Sequence, residues 1–384
     1  REYRQREGCR LQYAGDSNEN GEAMSSVPTT MKAVVLTGHG DLDKLEYRDC
    51  AVPAVASDEV LIEVHACGMN NTDVWVRQGA YGTDADPEAV ASWRRGKPTL
   101  EFPRLQGTDT VGKIVAVGDE IDAARIGERV MVDFSIYNGD GVSLADIDYI
   151  GHGRDGGYAE YCAVPAENAH SIDSDMSDAE LATFCCAYLT AEHMLDRARV
   201  SAGDRVLVTG AAGGVGGGLI QLCRARGAIP YALTSADKAD AVSALGAEGI
   251  VLRDQHDWAQ QLLTQLQGKS IDVVADVVAG PLFKDLINLL RPEGRYTTAG
   301  AFGGAMVELD LRTIYLKHLE IHGSSQGTRQ AFARLLGYIE SGKIRASLFA
   351  TYPLSDFHHA QTDFMAKSYV GKLVVMPDRF FQPV

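Results

Sequence analysis

The sequence predicts an α/β chain in two parts, a β-rich domain and a doubly wound parallel sheet, with the end of the chain returning to the first part. Three observations predict it. Between Met31 and Asp133 strand-like runs follow one another without long helical stretches. From Arg205 to Ala299 short apolar runs alternate with helical segments, the pattern of a parallel sheet. At the head of that alternation stands a glycine-rich turn, Thr209–Gly216. With 384 residues, 45% of them hydrophobic, the chain can bury the cores of two domains.

Residues 1–30 are polar and rich in Gly, Ser, Asn and Glu, which predicts a disordered extension, and Met31 reads like a natural start. Strands are expected at 31–36, 59–64, 110–117 and 129–133, each bounded by Gly, Asp or Pro. In the second part the strand Arg205–Thr209 precedes the Gly-rich turn and a helix over 219–226. The strand 229–233 and a helix over 238–245, closed by Gly246, come next. Strands at 250–252, 271–276 and 295–299 complete the series, the last after a Pro292–Gly294 turn. A final strand is expected over Lys372–Met376. The boundaries drawn on this pattern are 31–167 with 326–384 for the β-rich domain, and 168–325 for the parallel sheet.

Composition excludes several classes. The net charge of −16 repels phosphate backbones and anionic lipids, so neither nucleic acid nor membrane is an expected partner. No apolar run approaches the roughly 18–20 residues that span a bilayer. The charged opening Arg1–Glu7 leads into no signal-like apolar stretch. Seven cysteines without regular spacing argue against a disulfide framework and for a cytoplasmic protein. Cys185 and Cys186 adjoin the apolar run Leu181–Phe184, where burial explains them.

The segment Thr209-Gly-Ala-Ala-Gly-Gly-Val-Gly216 lies between a strand and a helix, the setting of a dinucleotide loop. Glycines let the backbone approach a pyrophosphate, and N–H groups at the helix start hydrogen-bond it. Ala211 stands at the first glycine position, with Gly213 and Gly216 at the others and Gly214 and Val215 between them. The second strand runs out at Thr234, where an acid would bind the ribose 2′-hydroxyl of NAD and repel a 2′-phosphate. Thr234, Ser235 and Lys238 offer hydroxyls and a cation, and Arg253 after the third strand would stack on adenine or reach the same phosphate. NADPH is therefore the expected cofactor.

Four segments carry a resemblance: Val64-His-Ala-Cys-Gly-Met-Asn-Asn-Thr-Asp73, Gln106-Gly-Thr-Asp-Thr-Val-Gly112, Asp155-Gly-Gly-Tyr-Ala-Glu-Tyr161 and the Gly-rich loop. With them the chain resembles the medium-chain dehydrogenase/reductase superfamily from about Met31 to its end. The resemblance implies a GroES-like catalytic domain completed by the C-terminal segment, and a Rossmann domain. Zinc alcohol dehydrogenases of that superfamily hold a catalytic metal with a Cys, a His and a later Cys. Asn70 and Thr108 fall on the first two ligand positions here, and only Cys186 matches the third. Zinc needs three nitrogen, sulfur or carboxylate donors, so no metal is expected. The lobe that carries four zinc cysteines in such enzymes corresponds to about Phe134–Arg154 and contains none.

The pattern is similar to the quinone oxidoreductase and enoyl reductase branches, which reduce acceptors needing no Lewis acid. Asn70 would position the nicotinamide or the substrate carbonyl through its amide, Thr108 is a further candidate catalytic residue, and Asp73 would orient rather than act as an acid. Tyr81, in Gln78-Gly-Ala-Tyr81, matches a tyrosine that enoyl reductases use as a proton donor. Trp75 stands where quinone reductases often have Tyr. A helix over Thr83–Lys97 would bring Trp93, Arg94, Arg95 and Lys97 to an anionic substrate tail. Leu319–Ser324 resembles the last Rossmann strand, which pairs subunits, so a homodimer or homotetramer is expected. Two other classes fit the chain: an alcohol dehydrogenase with zinc on Cys67, His65, Asp73 or Cys186, and a cofactor-binding protein without catalysis.

Overall fold

The computed structural model describes residues 12–13, 27–80, 100–137 and 148–384. The chain divides into two compact units, Arg1–Cys185 with Ala350–Ala366 and Leu373–Val384, and Cys186–Phe349 with Lys367–Lys372. These limits differ from the boundaries drawn on the sequence, which gave 168–185 to the parallel-sheet domain and 326–349 to the other. The helix Arg329–Glu340 belongs with the second unit through charge. Its Arg334 Nε pairs with Glu192 at 3.0 Å and its guanidinium also meets Asp196, both on the helix Cys185–Arg197.

In the first unit the long strands Glu59–Gly68 and Asp109–Val117 pair antiparallel. Along the sheet the order is Ala169–Ser171, Arg129–Val132, Asp109–Val117, Glu59–Gly68, Lys372–Met376 and Leu348–Pro353, with Tyr161–Pro165 also on Glu59–Gly68. Thr30–Leu36 pairs with Leu45–Ala51 and Arg104–Leu105 in a second sheet. The core here joins Met31, Ala33, Leu61, Ala116 and Tyr161. Within the segment expected to be disordered, Gln12–Tyr13 pair with Val117 and Ala116, so these two residues carry structure.

The second unit holds six parallel strands in the order Gly249–Leu252, Ile229–Thr234, Arg205–Val208, Ile271–Asp276, Leu290–Thr298, Glu320–Gly323. In chain order that is 3-2-1-4-5-6, the Rossmann arrangement, whose direction reverses at the first strand. The strand Leu290–Thr298 takes in the predicted Pro292–Gly294 turn. The register shifts there, and Glu293 adopts φ 61°. Leu207, Leu233, Val251, Val274 and Leu286 fill the core with Trp258 from the helix Trp258–Leu266. The strands predicted at 31–36, 110–117, 250–252 and 271–276 match observed elements to within a residue.

Candidate active site

The strand Glu59–Gly68 delivers the chain to Asn70, which starts the helix Asn71–Arg77. Asn70 is buried, and its Nδ2 donates to Thr108 Oγ1 at 2.9 Å. Thr108 in turn donates to Asp109 Oδ1 at 3.0 Å, so the amide plane is set by a fixed hydrogen-bonded chain. Asp73 holds the other side. Its Oδ2 accepts from the Asn70 N–H at 2.9 Å and from the Tyr158 hydroxyl at 2.6 Å, while Gln106 Nε2 donates to its backbone carbonyl at 2.9 Å. Asp73 is 3% exposed, and its carboxylate holds the start of the helix at Asn70.

Tyr158 and Gln106 were not singled out in the sequence, although both lie inside the motifs that carry the resemblance. Burial and then the charge of Asp73 push the Tyr158 phenol well above its ordinary range, so it stays a donor to that carboxylate. The chain passes close behind. Gly107 has φ 103°, and a Cβ there would come within 2.9 Å of Cys67 Sγ and 2.8 Å of the Tyr158 nitrogen. Only glycine lets Thr108 reach Asn70 along this path. Tyr81 and the segment 83–97, with Trp93, Arg94, Arg95 and Lys97, lie outside the described residues.

The metal that this fold family often carries fails a test of donors. The amide and hydroxyl at the first two ligand positions are bonded to each other. Among the described residues no group of three His, Cys, Asp or Glu side chains is placed to hold an ion. Cys67 is fully buried, and burial drives its thiol well above the usual range, against the thiolate that zinc requires. His65 is engaged elsewhere, with Nδ1 at 2.7 Å from Asp178 and Nε2 at 3.5 Å from Glu63.

In the second unit the strand Arg205–Val208 leads into the Gly-rich loop and the helix Gly214–Ala225. Gly210 turns the chain at φ 57°. A Cβ on Gly216 would stand 2.2 Å from the Gly210 carbonyl oxygen, so helix and loop close only with glycine. Ala211 is 1% exposed and packs inward, whereas Gly213 is exposed and Gly214 and Val215 are half-buried. A glycine-rich turn between a strand and a helix start is where dinucleotide folds bind a pyrophosphate. Beneath it, Asp276 accepts from Thr209 Oγ1 and the Tyr296 hydroxyl, each at 2.5 Å, and from the N–H groups of Val278 and Ala279. This buried carboxylate fixes the end of two strands under the loop, and nothing in the sequence marked it.

Thr234 and Ser235 are buried at the end of the second strand, and Lys238 is half-buried in the turn that follows. Arg253 donates its backbone N–H to the Thr234 carbonyl at 2.9 Å, which brings the third strand's end beside Thr234. Its side chain is exposed and 3.5 Å from Asp254.

Two family models match the chain, the alcohol dehydrogenase GroES-like domain over residues 56–174 and the zinc-binding dehydrogenase domain over 214–341. A Sinorhizobium meliloti 1021 protein provisionally described as an alcohol dehydrogenase has a solved structure 66% identical to this chain. It matches with a TM-score of 0.88, over 92% of this chain and 98% of that one. Quinone oxidoreductase of Rattus norvegicus is 27% identical over 92% of this chain and its own full length. The structure of the 2-octenoyl-CoA carboxylase reductase CinF, in complex with NADP and 2-octenoyl-CoA, is 26% identical. It has a TM-score of 0.81 over 93% of this chain and 90% of that one. The chain belongs to the medium-chain dehydrogenase/reductase superfamily and is an oxidoreductase of that family, which acts on small molecules with a nicotinamide cofactor. No helix among the described residues is long and apolar enough to cross a membrane.

Proposed function

We propose that this chain is an NADPH-dependent, zinc-free reductase whose acceptor is an activated alkene (an enone or enoyl thioester) or a quinone. The hydrogen bond between Asn70 and Thr108 carries the reading. Two positions that would bind a catalytic metal are occupied by an amide and a hydroxyl held against each other, and neither suits zinc. When bound, the nicotinamide cofactor supplies a hydride. The protein's own part is to hold the acceptor carbonyl and to meet the negative charge that appears on its oxygen. Asn70 is fixed in plane for the first task, and Tyr81, by its resemblance to an enoyl reductase tyrosine, serves the second.

The NADPH preference is supported by Thr234 and Ser235 where an acid would exclude a 2′-phosphate, and by Lys238 beside them. The NADP complex of the CinF relative agrees with it. An alcohol dehydrogenase with relocated zinc ligands is the second reading, favoured by the description of the 66% identical relative. Assembly into a homodimer or homotetramer is supported by the strand Glu320–Gly323, where Ile321 is 44% exposed, and by Leu311, Tyr315 and Leu316 nearby in sequence, each at least 60% exposed.

One experiment separates the readings. Purified protein is analysed for metal, exhaustively chelated, and mixed anaerobically with NADPH or NADH and a panel of enones, quinones and aldehydes. Undiminished reduction of enones or quinones, with NADPH preferred, is the expected result. One tightly bound zinc per subunit, with activity lost on its removal, would establish the alcohol dehydrogenase reading instead. Cofactor binding without turnover on any acceptor would leave a binding protein.

A further inference from the structure

The helix Asn71–Arg77 that follows Asn70 is seven residues long, and its two ends are held in different ways. At the start, bonds to Thr108 and Asp73 fix Asn70. At the other end Arg77 is fully buried, and each nitrogen of its guanidinium donates to a neutral acceptor. Nε meets Gln361 Oε1 at 3.1 Å, Nη1 the Gly40 carbonyl at 2.6 Å and Nη2 Met365 Sδ at 3.7 Å. The Gly40 N–H donates back to the Arg77 carbonyl at 2.9 Å. Among the described residues only the Asp41 carboxylate comes within ion-pair range of Arg77, at 4.0 Å, and it is 96% exposed.

Gln361 and Met365 both lie on the helix Phe357–Ala366. Gln361 is fully buried and its Nε2 has no partner among the described residues, so the bond from Arg77 is what this amide gains in its place. The same helix reaches the start of the short one as well. The Phe357 ring meets that of Tyr158 with centroids 4.7 Å apart, and Tyr158 donates to Asp73 at 2.6 Å. One late helix thus backs the acceptor-site helix at both ends.

A seven-residue helix has little stability of its own, so packing decides where it sits. A buried guanidinium is tolerated only where its hydrogen bonds are made, and a cation suits a helix C-terminus, whose carbonyls carry partial negative charge. Its planar fork holds those bonds in fixed directions. We propose that Arg77, with Gln361 as its acceptor, is a positioning residue of the acceptor site: it sets the tilt of the helix and so the direction in which Asn70 presents its amide. The proposal rests on the reading of Asn70 as the group that holds the acceptor, and extends that site to a residue 284 positions beyond Arg77. A misplacement of about 1 Å, made far from the reacting atoms, costs about a hundredfold in rate. It acts on the transition state more than on ground-state binding, so it appears in kcat with KM little changed.

The test is Gln361→Met in the full chain, which keeps the length of the side chain and removes the oxygen that Arg77 meets. Turnover per cofactor-binding site, on the enone or quinone that the parent reduces best, should fall by about tenfold to a hundredfold. Acceptor KM and the NADPH dissociation constant should stay within about twofold of the parent's. Gln361→Glu, which keeps an oxygen at that place, should recover most of the turnover. Hydrogen–deuterium exchange of the free protein should quicken in peptides covering 71–80 of Gln361→Met, and not in those covering the parallel sheet. A Gln361→Met protein that melts earlier but turns over like the parent would overturn the proposal and leave Arg77 as packing. Unchanged exchange over 71–80, or an equal loss of cofactor affinity, would overturn it too. If Gln361→Met does not fold, Met365→Leu removes the weakest of the three acceptors at a residue 37% exposed, and the same readouts decide at smaller amplitude. A parent that reduces no acceptor would sink the reading of Asn70, while the exchange at 71–80 would still decide whether Gln361 holds the helix.

Discussion

The two functional regions are built by opposite means. The proposed cofactor loop is a backbone device: Gly210 turns the chain and Gly216 allows helix and loop to touch. The proposed acceptor site is a side-chain device, in which Asn70 is held by Thr108 on one side and Asp73 on the other, with Tyr158 and Gln106 behind. A backbone device depends on the absence of atoms and fails when one is added. A side-chain device depends on partners and fails when one is removed, by an amount set by what that partner does in the reaction.

Each half of that contrast is open to a direct attack. The largest effect is expected from Tyr81→Phe, which removes the hydroxyl proposed to protonate the acceptor. The turnover number for enones should fall by about 10²–10⁴, the range of positioned proton transfer. Quinones, whose reduced anions water can protonate later, should lose much less, and NADPH affinity should stay near normal. Equal slowing of both acceptors, or of neither, would return Tyr81 to packing.

Gly216→Val adds atoms to the backbone site. With a Cβ placed 2.2 Å from the Gly210 carbonyl oxygen, the loop must open, and cofactor affinity should drop by about a hundredfold, the scale of a severe local clash. NADPH and NADH should suffer alike, because the pyrophosphate cradle serves both. Fluorescence titration checks this, and a selective loss of NADPH alone would contradict it.

The smallest effect tests a charged cluster that serves neither device. Burial pulls the His65 imidazolium down, but its hydrogen bond to Asp178 and the neighbouring Glu63 carboxylate outweigh that and leave it raised above 6.5. A raised value means that the stabilisation is fully present below about pH 6.5 and is lost as pH rises through the folded-state value. His65→Gln should flatten this dependence in urea unfolding between about pH 6 and 8, a change of about 1 kcal/mol or less for a partly exposed pair. Cofactor affinity should not move. A His65→Gln variant with the same pH dependence as the parent would remove His65 as its source.

Much of the backbone device was legible in the chain. Glycines at 210, 213, 214 and 216 between a strand and a helix have few other uses, and the alternation from Arg205 onward defines a parallel sheet without further information. Asn70, Thr108 and Asp73 were legible as residue types at motif positions. Their mutual bonding was not, because Asn70 and Thr108 are 38 residues apart and meet only through antiparallel pairing of their strands. The helix Arg329–Glu340 falls in the other compact unit from the one drawn on the sequence for a similar reason, since its Arg334 finds Glu192 across 142 residues.

By itself, then, the sequence determined whatever depends on local chain chemistry: strand and helix periodicity, the glycine turn, the missing acid after Leu233 and the missing zinc ligands. The tertiary structure alone decided which distant polar groups face one another. The Tyr158 hydroxyl reaches Asp73 across 85 residues, Tyr296 reaches Asp276, and Lys367 turns its carbonyl to Lys238 across 129. A tyrosine or lysine carries no mark in the sequence of the partner it will meet. Hydrogen bonds and like-charge repulsion act over a few ångströms of space, and only the folded sheet order sets those distances.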